Sequence, residues 1–243
     1  MSGLAKSFQK AIKRELGTNA AWLPVSNTLK IGDYGFFEDG VFRSIGNITD
    51  KYPGIELKIA IGSPTKINFT SEGTKTFKLD AGGNTTNSFE ALGEANASLK
   101  FAFNKSDSVV VKASEVGVDQ LQNIESVANV LASKSDWKNK FKVVSAAYTA
   151  KNCLIVCARE AGTEFAINAN ANILKEIDAG KVNGSIETTS SNNSTFESIG
   201  ETGVIAIRLF KLNIFNQLRM RGPASTASVE IQEIFDMDPE DDF

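Results

Sequence analysis

The chain has 243 residues, of which 42% are hydrophobic, and its formal net charge is −3 with no histidine. The length suits one large domain with a real hydrophobic core, and the balanced charge makes nucleic acid a poor partner. The absence of histidine removes the commonest general base, the histidine-dependent catalytic triads and the commonest transition-metal ligand. We therefore expect no enzymatic activity, no cofactor, no metal site and no bound nucleic acid.

The N-terminal segment, residues 4–16, predicts an amphipathic helix with a basic face. Apolar side chains recur at helical spacing, and Gly17 fits a C-terminal cap. The remaining positions carry the cations Lys6, Lys10, Lys13 and Arg14. This pattern fits an ordinary surface helix, and it also fits an interfacial helix attracted to anionic lipid.

Turn-dense β structure is predicted after this helix, over residues 20–62. Asp39 and Gly40, placed between two short apolar runs, predict a tight hairpin. Residues 55–61 alternate apolar and polar side chains and predict a further strand.

Two later regions contain long runs that alternate apolar and small polar residues with period two, as half-buried strands do. The first region, residues 66–113, surrounds a polar centre at residues 82–87, and the second covers residues 165–212. Residues 165–173 show the clearest alternation and predict a strand, with residues 177–186 as a weaker and more polar partner. The apolar positions expected along these strands are Ile67, Phe69, Phe77, Leu79, Ala97, Leu99, Phe101, Phe103, Phe165, Ile167, Ala169, Ala171, Ile173, Ile205, Ile207 and Leu209.

The segment between these regions predicts a helix at residues 118–133 and two buried strands at residues 141–148 and 153–159. Cys153 and Cys157 fall on one face of the second strand, about 13 Å apart, which is too far for a disulfide. They fit small buried hydrophobic residues in a reducing compartment. Since the sequence shows no secretory signal, we expect a cytoplasmic protein.

The elements together predict an α+β fold, a twisted antiparallel sheet with peripheral helices. The polar faces of the alternating strands carry mostly small neutral side chains, where soluble sheets often carry Lys and Glu. Two functions remain open. In the first, the two hairpin regions extend into a transmembrane β-barrel when the protein oligomerises. In the second, they belong to a soluble β-rich binding or self-assembling structural module.

The C-terminal end, residues 222–243, begins with a Gly-Pro linker at residues 222–226 and continues as an acidic tail, separate from a predicted domain at residues 1–221. It fits a disordered solubilising end or a docking segment.

The order of these elements resembles the gasdermin family of pore-forming proteins. Leu16-Gly17 followed by Ala21–Val25 looks like the family's opening passage from helix to strand, and Lys66–Ala113 and Phe165–Leu212 look like its two hairpin regions. The helix at residues 118–133 and the strands after it look like the intervening base.

The resemblance implies a cytoplasmic monomer that binds acidic membrane lipids and assembles into a membrane-associated homo-oligomeric ring. Its hairpins would then permeabilise the membrane, with cell death or defence as the result. It also implies that Lys6, Lys10, Lys13 and Arg14 form the lipid-binding face. The acidic tail is a candidate inhibitor, and an activating protease is a candidate partner.

Overall fold

The computed structural model describes residues 3–183, 186–191 and 195–212, together with the backbone of residues 231–233. The helices in this part of the chain are α1 (Gly3–Leu16), α2 (Ile48–Lys51), α3 (Ile124–Ala132) and α4 (Ala171–Asp178), with a 3₁₀ turn at Glu90–Leu92. The strands are β1 (Asn19–Ala20), β2 (Asp33–Glu38), β3 (Val41–Asn47), β4 (Ile59–Ile61), β5 (Thr65–Thr70), β6 (Thr74–Leu79), β7 (Asn96–Phe103), β8 (Ser108–Leu121), β9 (Lys142–Ala158), β10 (Thr163–Asn170), β11 (Glu187–Ser190), β12 (Thr195–Leu212) and β13 (Ile231–Glu233).

These strands form two antiparallel sheets, so the predicted α+β class is found with two sheets in place of one. The larger sheet runs β1-β12-β9-β2-β3, and β8 pairs with β9 and carries β4 and β5 on its other edge. The smaller sheet runs β11-β10-β7-β6. At the end of β12, residues 231–233 of the C-terminal segment add the short antiparallel strand β13.

Helix α1 covers one face of the larger sheet. Its apolar side packs on a core that includes Phe8, Ile12, Val111, Ile155 and Ile205. A buried amide fixes the chain that follows, because the Gln9 side chain donates to Asn19 Oδ1 at 3.0 Å and accepts from the Ala20 amide at 2.6 Å. The helix ends as predicted at Gly17, whose φ of 63° and hydrogen bond to the Lys13 carbonyl form a C-terminal cap.

The smaller sheet covers the opposite face of the larger one. Leu99, Phe101 and Phe165 of the smaller sheet share a core with Val110 and Val156 of the larger sheet. The larger sheet is therefore buried between α1 on one side and the smaller sheet on the other, which is why β8 and β9 are apolar on both faces.

Two of the predicted elements were wrong, one between β8 and β9 and one between β10 and β11. The predicted helix at residues 118–133 begins only at Ile124, because residues 118–121 continue β8 and pair with β9 and β4. The predicted strand at residues 177–186 is instead the end of α4 and the connection after it, and β11 begins at Glu187. Pairing with β9 and β4 decided the first case, and burial of Leu174 and Ile177 between the two sheets decided the second. The predicted boundary between residues 221 and 222 lies outside the described residues.

Candidate functional site: a folded four-stranded ribbon

The first alternating region forms one long hairpin that is interrupted in the middle. Thr65–Thr70 of β5 pair with β8, and Thr74–Leu79 of β6 pair with β7. The two arms therefore run antiparallel along their length and meet at a tip, residues 80–95. Short breaks at residues 71–73 and 104–107, which we call elbows, separate the half in the larger sheet from the half in the smaller sheet.

The second region repeats this design. Here β9 pairs with β12 and β10 pairs with β11, with an elbow at residues 159–162 between β9 and β10. The tip of this second hairpin contains α4.

The two hairpins lie side by side in both sheets. In the larger sheet the order is β5-β8-β9-β12, and in the smaller sheet it is β6-β7-β10-β11. Each strand thus keeps the same neighbour on both sides of the elbows, and the eight strands form one four-stranded ribbon folded onto itself. The elbows also touch, since the Asp107 amide donates to the Arg159 carbonyl at 3.2 Å.

The two central strands of the smaller sheet, β7 and β10, present an apolar face inward and a polar face outward. Cross-strand partners share a face, so Leu99 opposite Ile167 and Phe101 opposite Phe165 form a central apolar band. The outward face carries polar pairs, including Ser98, which donates to Asn168 Oδ1 at 2.6 Å. Lys100 and Glu164 form an ion pair at 2.8 Å on the same face.

The predicted apolar positions divide among several surfaces. Ala97, Leu99, Phe101, Phe103, Phe165 and Ile167 are buried between the two sheets, and Ala169 is partly buried beside them. Phe77 and Leu79 lie on the outward face, because their cross-strand partners are Lys100 and Ser98. Ile67, Phe69 and Ile205 belong to the core beneath α1. Ile207 and Leu209 belong to a second, smaller cluster.

Ala171 and Ile173 were predicted on a strand, and this was wrong. Strand β10 ends at Asn170, whose side chain accepts a hydrogen bond from the Ile173 amide at 3.0 Å and caps helix α4. The side chains of Leu174 and Ile177 are buried on the inner side of this helix. An Asn cap followed by apolar residues at helical spacing is the signal that the period-two pattern concealed.

The cations predicted to bind lipid lie on one side of α1, within an arc of about 100°. Lys6, Lys10 and Arg14 are exposed, and Lys13 is half-buried. Arg14 forms an ion pair with Glu15 at 2.8 Å, and its guanidinium lies 5.6 Å from the centre of the Phe69 ring. Lys10 lies 4.0 Å from Asp107 at the elbow. The basic face therefore adjoins the first hairpin.

The two cysteines are free and buried under α1, as the sequence indicated. Burial raises the pKa of the Cys153 thiol to about 11 and raises that of Cys157 further, which disfavours a reactive thiolate. Within the described residues, no group of three or more acidic or cysteine side chains could hold a metal ion. None of the described helices has the length and hydropathy needed to cross a membrane.

No protein-family model matches the chain, and no curated protein matches it with significant similarity. Among solved structures, the protein is similar to a bacterial gasdermin from Bradyrhizobium tropiciagri, with 15% sequence identity and a TM-score of 0.36. The similarity covers 94% of this chain and 90% of that chain. At this identity and TM-score, the similarity assigns no function to the chain.

Proposed function

We propose that this protein is a gasdermin-like pore-former. The soluble form is a cytoplasmic monomer that binds acidic lipid through α1, assembles into a homo-oligomeric ring and inserts both hairpins into the membrane as part of a β-barrel. Permeabilisation of the membrane then leads to cell death or defence. The observation that carries the proposal is the identical strand order in the two halves of the ribbon. Because of that order, the ribbon can straighten at its elbows without exchanging any strand neighbour.

A second observation concerns the alternation of residue types beyond the ends of the strands. Ahead of β7, the positions Phe89, Ala91, Gly93 and Ala95 continue the apolar face, although residues 90–92 form a 3₁₀ turn in the folded protein. Past β10, the alternation runs on to Ile173, within α4. Both tips therefore contain residues that suit a longer strand with one apolar and one polar face, the pattern of transmembrane barrel strands.

The chemistry of the two faces supports a lipid-facing and a water-facing surface after straightening. The inward band of Leu99, Phe101, Phe165 and Ile167 would meet the acyl chains. The outward face of β7 and β10, which carries the Ser98–Asn168 and Lys100–Glu164 pairs, would line water. Among the described residues, no strand pairs with the outer side of β6 or of β11, and a single bridge from Leu79 to Thr85 covers the end of β6. Such edges are too costly to leave unpaired in lipid, so the ribbon requires neighbouring copies and a closed ring.

The proposal is tested by release of dye from anionic liposomes, with Ala169→Lys as the variant and Asn168→Lys as its matched control. Ala169 is on the inward face of β10 and Asn168 is on the outward face. A lysine at the lipid-facing position costs about 2–4 kcal/mol near the bilayer midplane. We therefore expect Ala169→Lys to lose leakage and Asn168→Lys to keep it, with both variants folded in solution.

Electron microscopy of detergent extracts gives the second measurement, and ring-shaped oligomers are expected from the wild type. A wild-type protein that stays monomeric and causes no leakage with acidic lipid would contradict the proposal. It would leave the soluble β-rich binding or self-assembling module as the function.

A further inference from the structure

The end of α4 contacts the larger sheet through an ionic cluster. Asp178 Oδ1 lies 2.7 Å from Nζ of Lys112 on β8, and the same ammonium donates to the Asp178 carbonyl at 3.2 Å. The other carboxylate oxygen, Oδ2, lies 2.7 Å from Nζ of Lys78 on β6. One carboxylate therefore joins a cation of the larger sheet to a cation of the smaller sheet.

Lys112 lies in the interior between the two sheets. Only 5% of its side chain is exposed, and it points to the same side of β8 as Val110, which packs against the smaller sheet. An ammonium group in such a position is strongly disfavoured unless a counter-charge accompanies it. Asp178 supplies that charge only while the tip of the second hairpin lies against the larger sheet.

The residues after Asp178 continue this contact, and we call residues 178–182 the docking turn. A Cβ atom at Gly180 would lie 3.3 Å from the backbone carbon of Ala113, so the turn passes close to the β8 backbone. The amide of Val182, a fully buried residue, donates to the Asn152 carbonyl of β9 at 3.2 Å. The docking turn thus joins the tip of the second hairpin directly to both central strands of the larger sheet.

We propose that the docking turn is a latch that holds the ribbon folded, with the Asp178–Lys112 pair as its main ionic contact. When the elbows straighten, Asp178 and Lys78 move together with the smaller sheet, whereas Lys112 stays in the larger sheet. Opening must therefore break the Asp178–Lys112 pair and can keep the Asp178–Lys78 pair. The role of this latch in setting the rate of pore formation rests on the proposed function.

Opening of the ribbon is measured in solution, without lipid, by the reaction of a thiol between the sheets. Val156→Cys places a thiol on the side of β9 that the smaller sheet covers, and the cysteine side chain is similar in size to the valine that it replaces. The adjacent Cys157, on the α1 side, is the internal control for global unfolding. Fragmentation of the peptide that contains Cys153, position 156 and Cys157 assigns the maleimide label to one of these three thiols.

Asp178→Asn in the Val156→Cys background is expected to increase labelling at position 156 roughly tenfold to a hundredfold, because it removes a charged hydrogen bond. Labelling of Cys157 is expected to stay unchanged. Lys112→Gln, which removes the charge of the other partner, is expected to act in the same direction and serves if Asp178→Asn does not fold. Lys78→Gln is the matched control and is expected to label at nearly the rate of the parent.

Three results would overturn the latch: unchanged labelling in Asp178→Asn and Lys112→Gln, a parallel increase at Cys157, or an equal increase in Lys78→Gln. Dye release from anionic vesicles then separates the latch from the proposed function. Faster labelling with no leakage from any variant, including the wild type, supports the latch and contradicts pore formation. Wild-type leakage that Asp178→Asn does not accelerate, with unchanged labelling, contradicts the latch alone.

Discussion

Individual glycines show how closely the chain passes over the larger sheet. Gly203 on β12 pairs with Ala150 of β9, and Gly117 on β8 pairs with Thr149 of the same strand. A Cβ atom at Gly203 would lie 2.1 Å from the carbonyl oxygen of Val25, whereas one at Gly117 would have no atom within 4 Å. Of these two glycines, Gly203 is required by a close backbone contact and Gly117 is not, so the two positions form a natural pair for comparison.

We expect Gly203→Ala to lower the free energy of unfolding by about 1–3 kcal/mol, because the loop at Val25 must move to make room for the methyl group. Gly117→Ala is expected to be neutral or slightly stabilising, since alanine loses less conformational entropy than glycine in a strand. Urea unfolding monitored by circular dichroism measures both variants. Equal midpoints for the two variants would contradict the close contact.

At the scale of secondary-structure elements, α1 carries the charge that the proposed lipid binding requires. Lys6 and Lys10 are exposed on its basic face. Replacing both with glutamine is expected to weaken binding to anionic vesicles roughly 30-fold, at about 1 kcal/mol for each cation near the membrane surface. The measurement is co-sedimentation with vesicles at low salt.

The matched control for α1 is the pair of exposed lysines Lys138 and Lys140, which precede β9. Replacing both with glutamine changes the net charge by the same amount away from α1, and we expect little change in binding. The difference between the two double variants should shrink as salt screens the charges. Equal loss in both would show that net charge, and not the face of α1, governs the attraction to lipid.

Elements that depend on local signals could be predicted from the sequence. Helix α1 was predicted with its cap, and so was the β2–β3 hairpin, where Asp39 and Gly40 have φ values of 54° and 73°. Both follow from side-chain periodicity and from the residues that tolerate positive φ.

Elements that depend on distant contacts could not be predicted. Residues 171–173 satisfy both a strand and a helix pattern, and burial of Leu174 and Ile177 between the sheets selects the helix. The latch was also hidden, because Lys112 and Asp178 are distant in sequence and nothing near either residue identifies the other. The ribbon's strand order likewise arises only from pairing between the two hairpins.

At the scale of the whole molecule, the C-terminal segment dominates the charge balance. Residues 222–243 contain no cation, and removing them turns the net charge from −3 to +4, because they include seven acidic residues: Glu230, Glu233, Asp236, Asp238, Glu240, Asp241 and Asp242. Residues 231–233 of this segment lie along the end of β12 as β13. The segment therefore affects both the attraction to anionic lipid and the edge of the larger sheet.

Deletion of residues 222–243 is expected to increase leakage from anionic liposomes, since it removes repulsion from the lipid surface and uncovers an edge of β12. The control keeps the length and replaces the seven acidic residues with their amides. If only charge restrains the protein, the deletion and the amide variant should cause leakage at the same rate, faster than the wild type. If pairing of β13 with β12 also restrains it, the deletion should cause faster leakage than the amide variant. Unchanged leakage in both would contradict an inhibitory tail.

The 3₁₀ turn at residues 90–92 has a consequence for the membranes that the proposed pore could enter. Without that turn, residues 89–103 would form a single strand with one apolar face. With a tilt of about 40°, such a strand spans about 35 Å along the membrane normal, close to the roughly 30 Å hydrocarbon thickness of a bilayer. Unwinding the turn would thus supply the height of the barrel wall, and bilayer thickness, in addition to lipid charge, would select the membranes in which the pore is stable.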